Sequence, residues 1–147
     1  MKSFHFCRAL TLVVLMLLGL SVTESFSQGK RAAAKDSVWI YITHVKAGKQ
    51  AEFEKFVHEI FFDKASKLSS KEQRVFKQTR ILHPTKAETD GTYSYCFLMD
   101  PPVPGGDYDI GSLIKKIYGA SEGEKYMKMY DDAVVGQTGY LMTQSRH

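Results

Sequence analysis

The stretch from Val38 to Leu68 restricts the fold of this chain more than any other. In a period-two structure Val38, Ile40 and Ile42 fall on one side, and Trp39, Tyr41, Thr43 and Val45 on the other. β-Branched and aromatic residues fill both sides, a composition that suits a strand. A strand with one wet face alternates apolar with polar residues, and this one does not. Both of its faces therefore need a cover. Helices supply one. A chain of this size has too few helices for the other, which leaves a second sheet, from a partner subunit, to supply it.

A short turn, Lys46-Ala47-Gly48-Lys49, leads into a helix from Gln50. Phe53, Phe56, Val57, Ile60, Phe61 and Leu68 recur at helical spacing and make one apolar stripe, with charged residues filling the rest. The pattern predicts a single helix running to Leu68. Ser70 then caps a short helical turn through Val75 and Phe76, with Gln73 in the capping-box position.

Two strands follow. Thr79 to His83 stops at Pro84, which has no N–H for a ladder. Thr92 to Met99 puts Tyr93, Tyr95, Phe97 and Met99 on one face and Ser94, Cys96 and Leu98 on the other. Asp90-Gly91 is a frequent reverse-turn pair, and the two strands form a hairpin around it. The prolines and glycines from Asp100 to Asp107 make a loop. Asp109 caps a helix carrying Leu113, Ile114, Ile117 and Tyr118 that ends at Gly119. Ser121 to Glu124 reads as a capping box for another helix, with Tyr126, Met127, Tyr130, Ala133 and Val134, stopping at Gly136. Gly139 to Gln144 is a last strand. The order is strand, helix, strand, strand, split helix, strand. It predicts an α+β fold, the ferredoxin-like βαββαβ arrangement with a four-stranded antiparallel sheet, over residues 37–146.

Residues 1–27 read as a secretory signal peptide. Lys2 and Arg8 precede an apolar run from Ala9 to Leu20, and the small residues Ser21, Ser25 and Ser27 follow it. That run is shorter than the roughly 20 residues a membrane span needs. Cys7 lies before the run, where it cannot be a lipid-bearing cysteine. The expected protein is secreted or periplasmic and is not held in a membrane once the signal is cleaved. Residues 28–36 are a flexible leader. Only Cys96 is then left, so no internal disulfide supports the domain, which must rely on its core or on a partner. A net charge of +4 over 147 residues, with the signs interleaved, argues against a nucleic-acid partner.

The run from Trp39 to Phe56, a strand entering the Ala47-Gly48-Lys49 turn and an acidic, Phe-bearing helix, resembles the dimeric α+β barrel families. Among them are the antibiotic-biosynthesis-monooxygenase-like domains. The resemblance implies a homodimer paired sheet to sheet. Activities across those families differ widely, from cofactor-free monooxygenases and haem-degrading oxygenases to proteins of no known activity, and fold alone does not choose among them. Haem-degrading members use an Asn on the first strand together with a His and a Trp. This chain has no Asn, and its one Trp lies on the first strand, which counts against that chemistry.

The residues that would line a ligand cavity are Trp39, Tyr41, His44 and Tyr95, with Tyr93 and Tyr140 beside them. Each has an alternative role: the aromatics as core or interface, His44 as a hydrogen-bonded strand end. His58 sits on the helix flank and His83 at a strand end. No two histidines have metal-ligand spacing and no His-Glu-x-x-His or Cys-x-x-Cys run occurs, so neither metal nor cofactor is expected. Cys96 reads as a small buried apolar residue. No nucleophile–base or acid–base pair stands out. The expectation is an exported domain that binds a small apolar or aromatic molecule or serves a structural role. The alternative is a cofactor-independent monooxygenase-like enzyme acting on an aromatic or quinone-like compound.

Overall fold

A computed structural model describes residues 31–146; the expected signal peptide lies outside the described residues. The fold is α+β, with one four-stranded sheet and helices packed on it. The strands are β1 (Ser37–Val45), β2 (Thr79–Leu82), β3 (Tyr93–Met99) and β4 (Val134–Thr143), in the order β2-β3-β1-β4. Every neighbouring pair is antiparallel. This order is consistent with the ferredoxin-like arrangement expected from the sequence. The helices are α1 (Gln50–Lys55), α2 (Ser70–Gln78), α3 (Ile110–Tyr118) and α4 (Ala120–Ala133).

The register assigns the two faces of the sheet. Trp39, Tyr41, Thr43 and Val45 stand opposite Met99, Phe97, Tyr95 and Tyr93, and all eight point toward the helices. Ile40, Ile42 and His44 stand opposite Leu98, Cys96 and Ser94 on the outer face. The apolar stripe of α1 seats Phe53 and Phe56 on the inner face, where both are buried with Val45, Thr43 and Tyr95. Phe53 packs its ring 4.7 Å from Tyr95 and 5.8 Å from Tyr130, and Phe56 lies 5.0 Å from Tyr130. Leu113, Ile114 and Ile117 of α3 close the same core.

The first helix departs from the expected single rod. After Lys55 it widens into a π-helical segment, Phe56–Phe62, whose ladder closes with the Asp63 amide donating to the His58 carbonyl. The wider turn buries Phe56, Val57, Ile60 and Phe61 together. A separate 3₁₀ turn, Ala65–Lys67, follows, and Leu68 enters the core from extended backbone. The Tyr118 hydroxyl donates to the Ile60 carbonyl at 2.8 Å, pinning the segment to the end of α3.

Three local expectations shift. Ser69, not Ser70, caps α2, in a full capping box with Glu72; an Ncap needs extended backbone, and Ser69 has it at ψ 156°. The second helix is split as expected, at Gly119, whose φ of +82° is left-handed backbone that glycine adopts without strain. Helix α4 starts directly after it, so Ser121 lies inside the helix and caps nothing. At the other end α4 stops at Ala133 and the chain passes straight into β4, so Gly136 belongs to the strand. The pairing of β4 with β1 shifts between His44 and Val45, leaving Val135 as an extra, half-exposed residue.

Within the stretch read as a leader, hydrogen bonds begin at Ala32. The Ala32 amide donates to Asp100 Oδ1 at 2.9 Å, and Asp36 and Gln144 join through a backbone bond at 2.9 Å.

Candidate functional site

The helices do not cover the inner face evenly. At the Val45 end α1 and α4 press onto the sheet. Toward the Trp39 end they part, leaving a cleft of about 550 Å³ between sheet and helices. Its floor is Tyr41 and Thr43 of β1, Phe97 and Met99 of β3, and Gln137 of β4. One wall is Phe61 and Phe62 from the end of the π segment with Phe76 of α2. These three rings contact one another at centroid distances of 4.7–5.7 Å. The opposite wall is Met127, Tyr130 and Asp131 of α4, and the start of α3 with Tyr108 closes the rim.

The rim is braced from several sides. The Tyr108 hydroxyl accepts from the Val103 amide at 2.6 Å, folding the proline-rich loop back on itself. Asp109 caps α3 by accepting from the Ser112 amide at 2.6 Å. Lys116 Nζ bridges Glu72 at 2.6 Å and Asp107 at 2.9 Å, tying α3, α2 and the loop together. Hydrogen bonds to those two carboxylates push the Lys116 ammonium up to about 12 and hold Glu72 and Asp107 below the usual carboxylate range.

A polar strip runs through this apolar cleft. The Gln137 amide donates to the Tyr130 hydroxyl at 2.6 Å and to Thr43 Oγ1 at 3.2 Å. Thr43 is fully buried, and Tyr130 is 5% exposed. Burial pushes the Tyr130 phenol above its ordinary value, so it stays protonated at neutral pH. The strip is thus two hydroxyls and an amide without charge, and each hydroxyl keeps a proton that can rotate toward a guest. Asp109 is engaged in its cap, and Asp131 stands at the mouth. Among the described residues, no group of three or more His, Cys, Asp or Glu side chains gathers where it could hold a metal ion. Such a site can enclose a flat, neutral molecule and orient one or two of its polar atoms.

The four residues singled out in the sequence are not brought together. Tyr41 lines the cleft, 43% exposed, and lies against its register partner Gly139, where an added Cβ would meet the ring at 3.0 Å. Trp39 faces the same way and packs at 5.2 Å on Tyr108 at the rim. Tyr95 is in the core, its hydroxyl donating to Glu54 at 2.7 Å. His44 points to the outer face, with its Nδ1 3.0 Å from Ser94 Oγ. Tyr93 is half-buried on the inner face, and Tyr140 is exposed on the outer one.

Sequence reasoning missed the polar strip. Thr43 carried a signal, being the one polar residue among Trp39, Tyr41 and Val45 on its face. Gln137 was hidden by taking Gly136 as a helix stop; extending the alternation of Gly139 and Leu141 backward would have placed it on the inner face.

Comparison with known proteins finds no matching family model, no matching curated protein and no matching solved structure.

Proposed function

We propose that this chain is an exported ferredoxin-like domain of the dimeric α+β barrel type that binds a flat, uncharged, apolar or aromatic molecule in the cleft beneath its helices. The observation that carries this reading is the cleft itself. Its volume of about 550 Å³ falls in the range of small-molecule pockets, and its aromatic walls surround a neutral strip of hydrogen-bonding groups. The basic start and apolar run within residues 1–27 support export.

The outer face of the sheet supports the dimer. Val38, Ile40, Ile42, Cys96 and Leu98 lie there, flanked by Leu82, Tyr140 and Met142, which are 50%, 48% and 49% exposed. No outward-pointing residue of the sheet is buried, although most are apolar. A second copy of the same face would remove this surface from water, the largest driving force available to association.

The chain's single tryptophan stands beside the rim, which supplies a test. Titration with 1-naphthol or 1,4-naphthoquinone should change Trp39 fluorescence saturably. Replacing Thr43 with Val together with Tyr130→Phe should weaken that binding about tenfold, the worth of roughly one or two neutral hydrogen bonds. A linear response, or equal affinity in the double variant, removes the cleft reading. Oxygen uptake on mixing with the naphthol would favour the enzyme over the binder.

A further inference from the structure

Far from the cleft, a chain of ionisable side chains crosses from the core to the surface. Tyr95 of β3 donates its hydroxyl to Glu54 Oε1 of α1 at 2.7 Å. The same oxygen lies 3.3 Å from Nδ1 of His83, just past β2. Nε2 of His83 then lies 3.2 Å from Nε2 of His58 on the π segment. The two imidazoles are almost parallel, at 8°, with centroids 5.2 Å apart. We propose that His58 and His83 form a two-histidine site for a divalent first-row transition ion of the copper, nickel or zinc class, with Glu54 orienting His83.

The chemistry of the chain supports this. Hydrogen bonding from Tyr95, then from His83, holds the Glu54 carboxyl below its usual range, so it is an acceptor at neutral pH. The Nδ1 of His83 must therefore be the donor, which leaves the lone pair of a neutral ring on Nε2. That carboxylate–imidazole pairing is the usual support behind a metal-bound histidine. The nitrogen His83 presents faces the same atom of a second imidazole. Two ring nitrogens bound tetrahedrally to one ion, each at about 2.0–2.1 Å, are roughly 3.3 Å apart. The present 3.2 Å separation needs almost no change in distance. It needs a tilt, so that both lone pairs meet beside the line between the nitrogens. His83 is held by Glu54 and by the edge of the Tyr95 ring at 5.4 Å, so the exposed His58 makes the swing. Imidazole suits copper, nickel and zinc, and water would fill the remaining positions. The bound ion would clasp the first helix to the end of β2.

Calorimetric titration of the chain with zinc chloride and with copper chloride at pH 7.5 tests the site. One ion per chain should bind, more tightly for copper. His58→Gln and His83→Gln should each weaken binding at least tenfold, and Glu54→Gln should weaken it less than either. Affinity should fall as the pH drops through about 6.5, where imidazoles take up protons. The copper complex of the unmodified chain should show two equatorial nitrogens by electron paramagnetic resonance, a readout that needs no variant to fold. Affinity unchanged in both histidine variants, or a copper spectrum without two nitrogens, overturns the proposal.

Discussion

The two faces of the sheet use similar residues to different ends. The inner face carries Trp39, Tyr41, Tyr95 and Phe97, and the outer face Ile40, Ile42, Leu98 and Tyr140. By composition alone neither reads as the wet one. What separates them is what lies above. Phe53, Phe56, Leu113 and Tyr130 descend onto the inner face and bury its Val45 end almost completely, whereas the outer face receives nothing of the kind from the described residues. The apolar content of a strand reports how many covers it needs; it does not report where they come from.

The contrast breaks most readily at the core. Phe56→Ala on the inner side should cost about 3–5 kcal/mol of unfolding free energy, read by urea denaturation, because the ring is wholly buried and its cavity cannot collapse against Tyr130. A loss under about 1 kcal/mol would mean that the helices do not press on the sheet as described. On the outer side, Leu98→Asp should turn a two-chain species into a single chain by light scattering. The isolated chain should lose little further stability, because the half-buried position leaves the new carboxylate in water. A single chain before the substitution would mean that the face stays bare.

A smaller effect sharpens the inner half. Tyr130→Phe removes the hydroxyl that accepts from Gln137 and should cost about 1 kcal/mol, with a larger relative loss in naphthol binding. The gentlest test is alkaline pH. The phenols of Tyr95 and Tyr130 are both raised above their ordinary value, chiefly by burial. A raised group favours the folded state fully below its unfolded value, near 10 for a phenol, and loses that contribution as pH climbs through the folded value. Stability should therefore decline above about pH 10, with tyrosinate absorbance rising together with unfolding. Tyr140, exposed on the outer face, should titrate without that cooperativity.

The legible parts of this chain were those with a strong period. β1, the alternation of β3, the Asp109 cap and the break at Gly119 all follow from residues a few positions apart. What escaped was set by tertiary geometry. The stripe from Phe53 to Leu68 satisfies a regular helix, and nothing local announces the widened turn. Thr43, Tyr130 and Gln137 meet only because β1, α4 and β4 converge, and His58 and His83, 25 positions apart, meet only because α1 packs beside β2.

The swollen turn at Phe56–Phe62 fits more residues into its length than a regular helix would. Deleting one of them, Glu59 for instance, would mend the ladder to ordinary spacing while winding all that follows back by about 100°. Phe61 and Phe62 would rotate away from Phe76, and the aromatic wall would open. The contour of the chamber is thus governed by a residue count within a single helix, so a shortened cousin could keep every strand in place and still select a differently shaped guest.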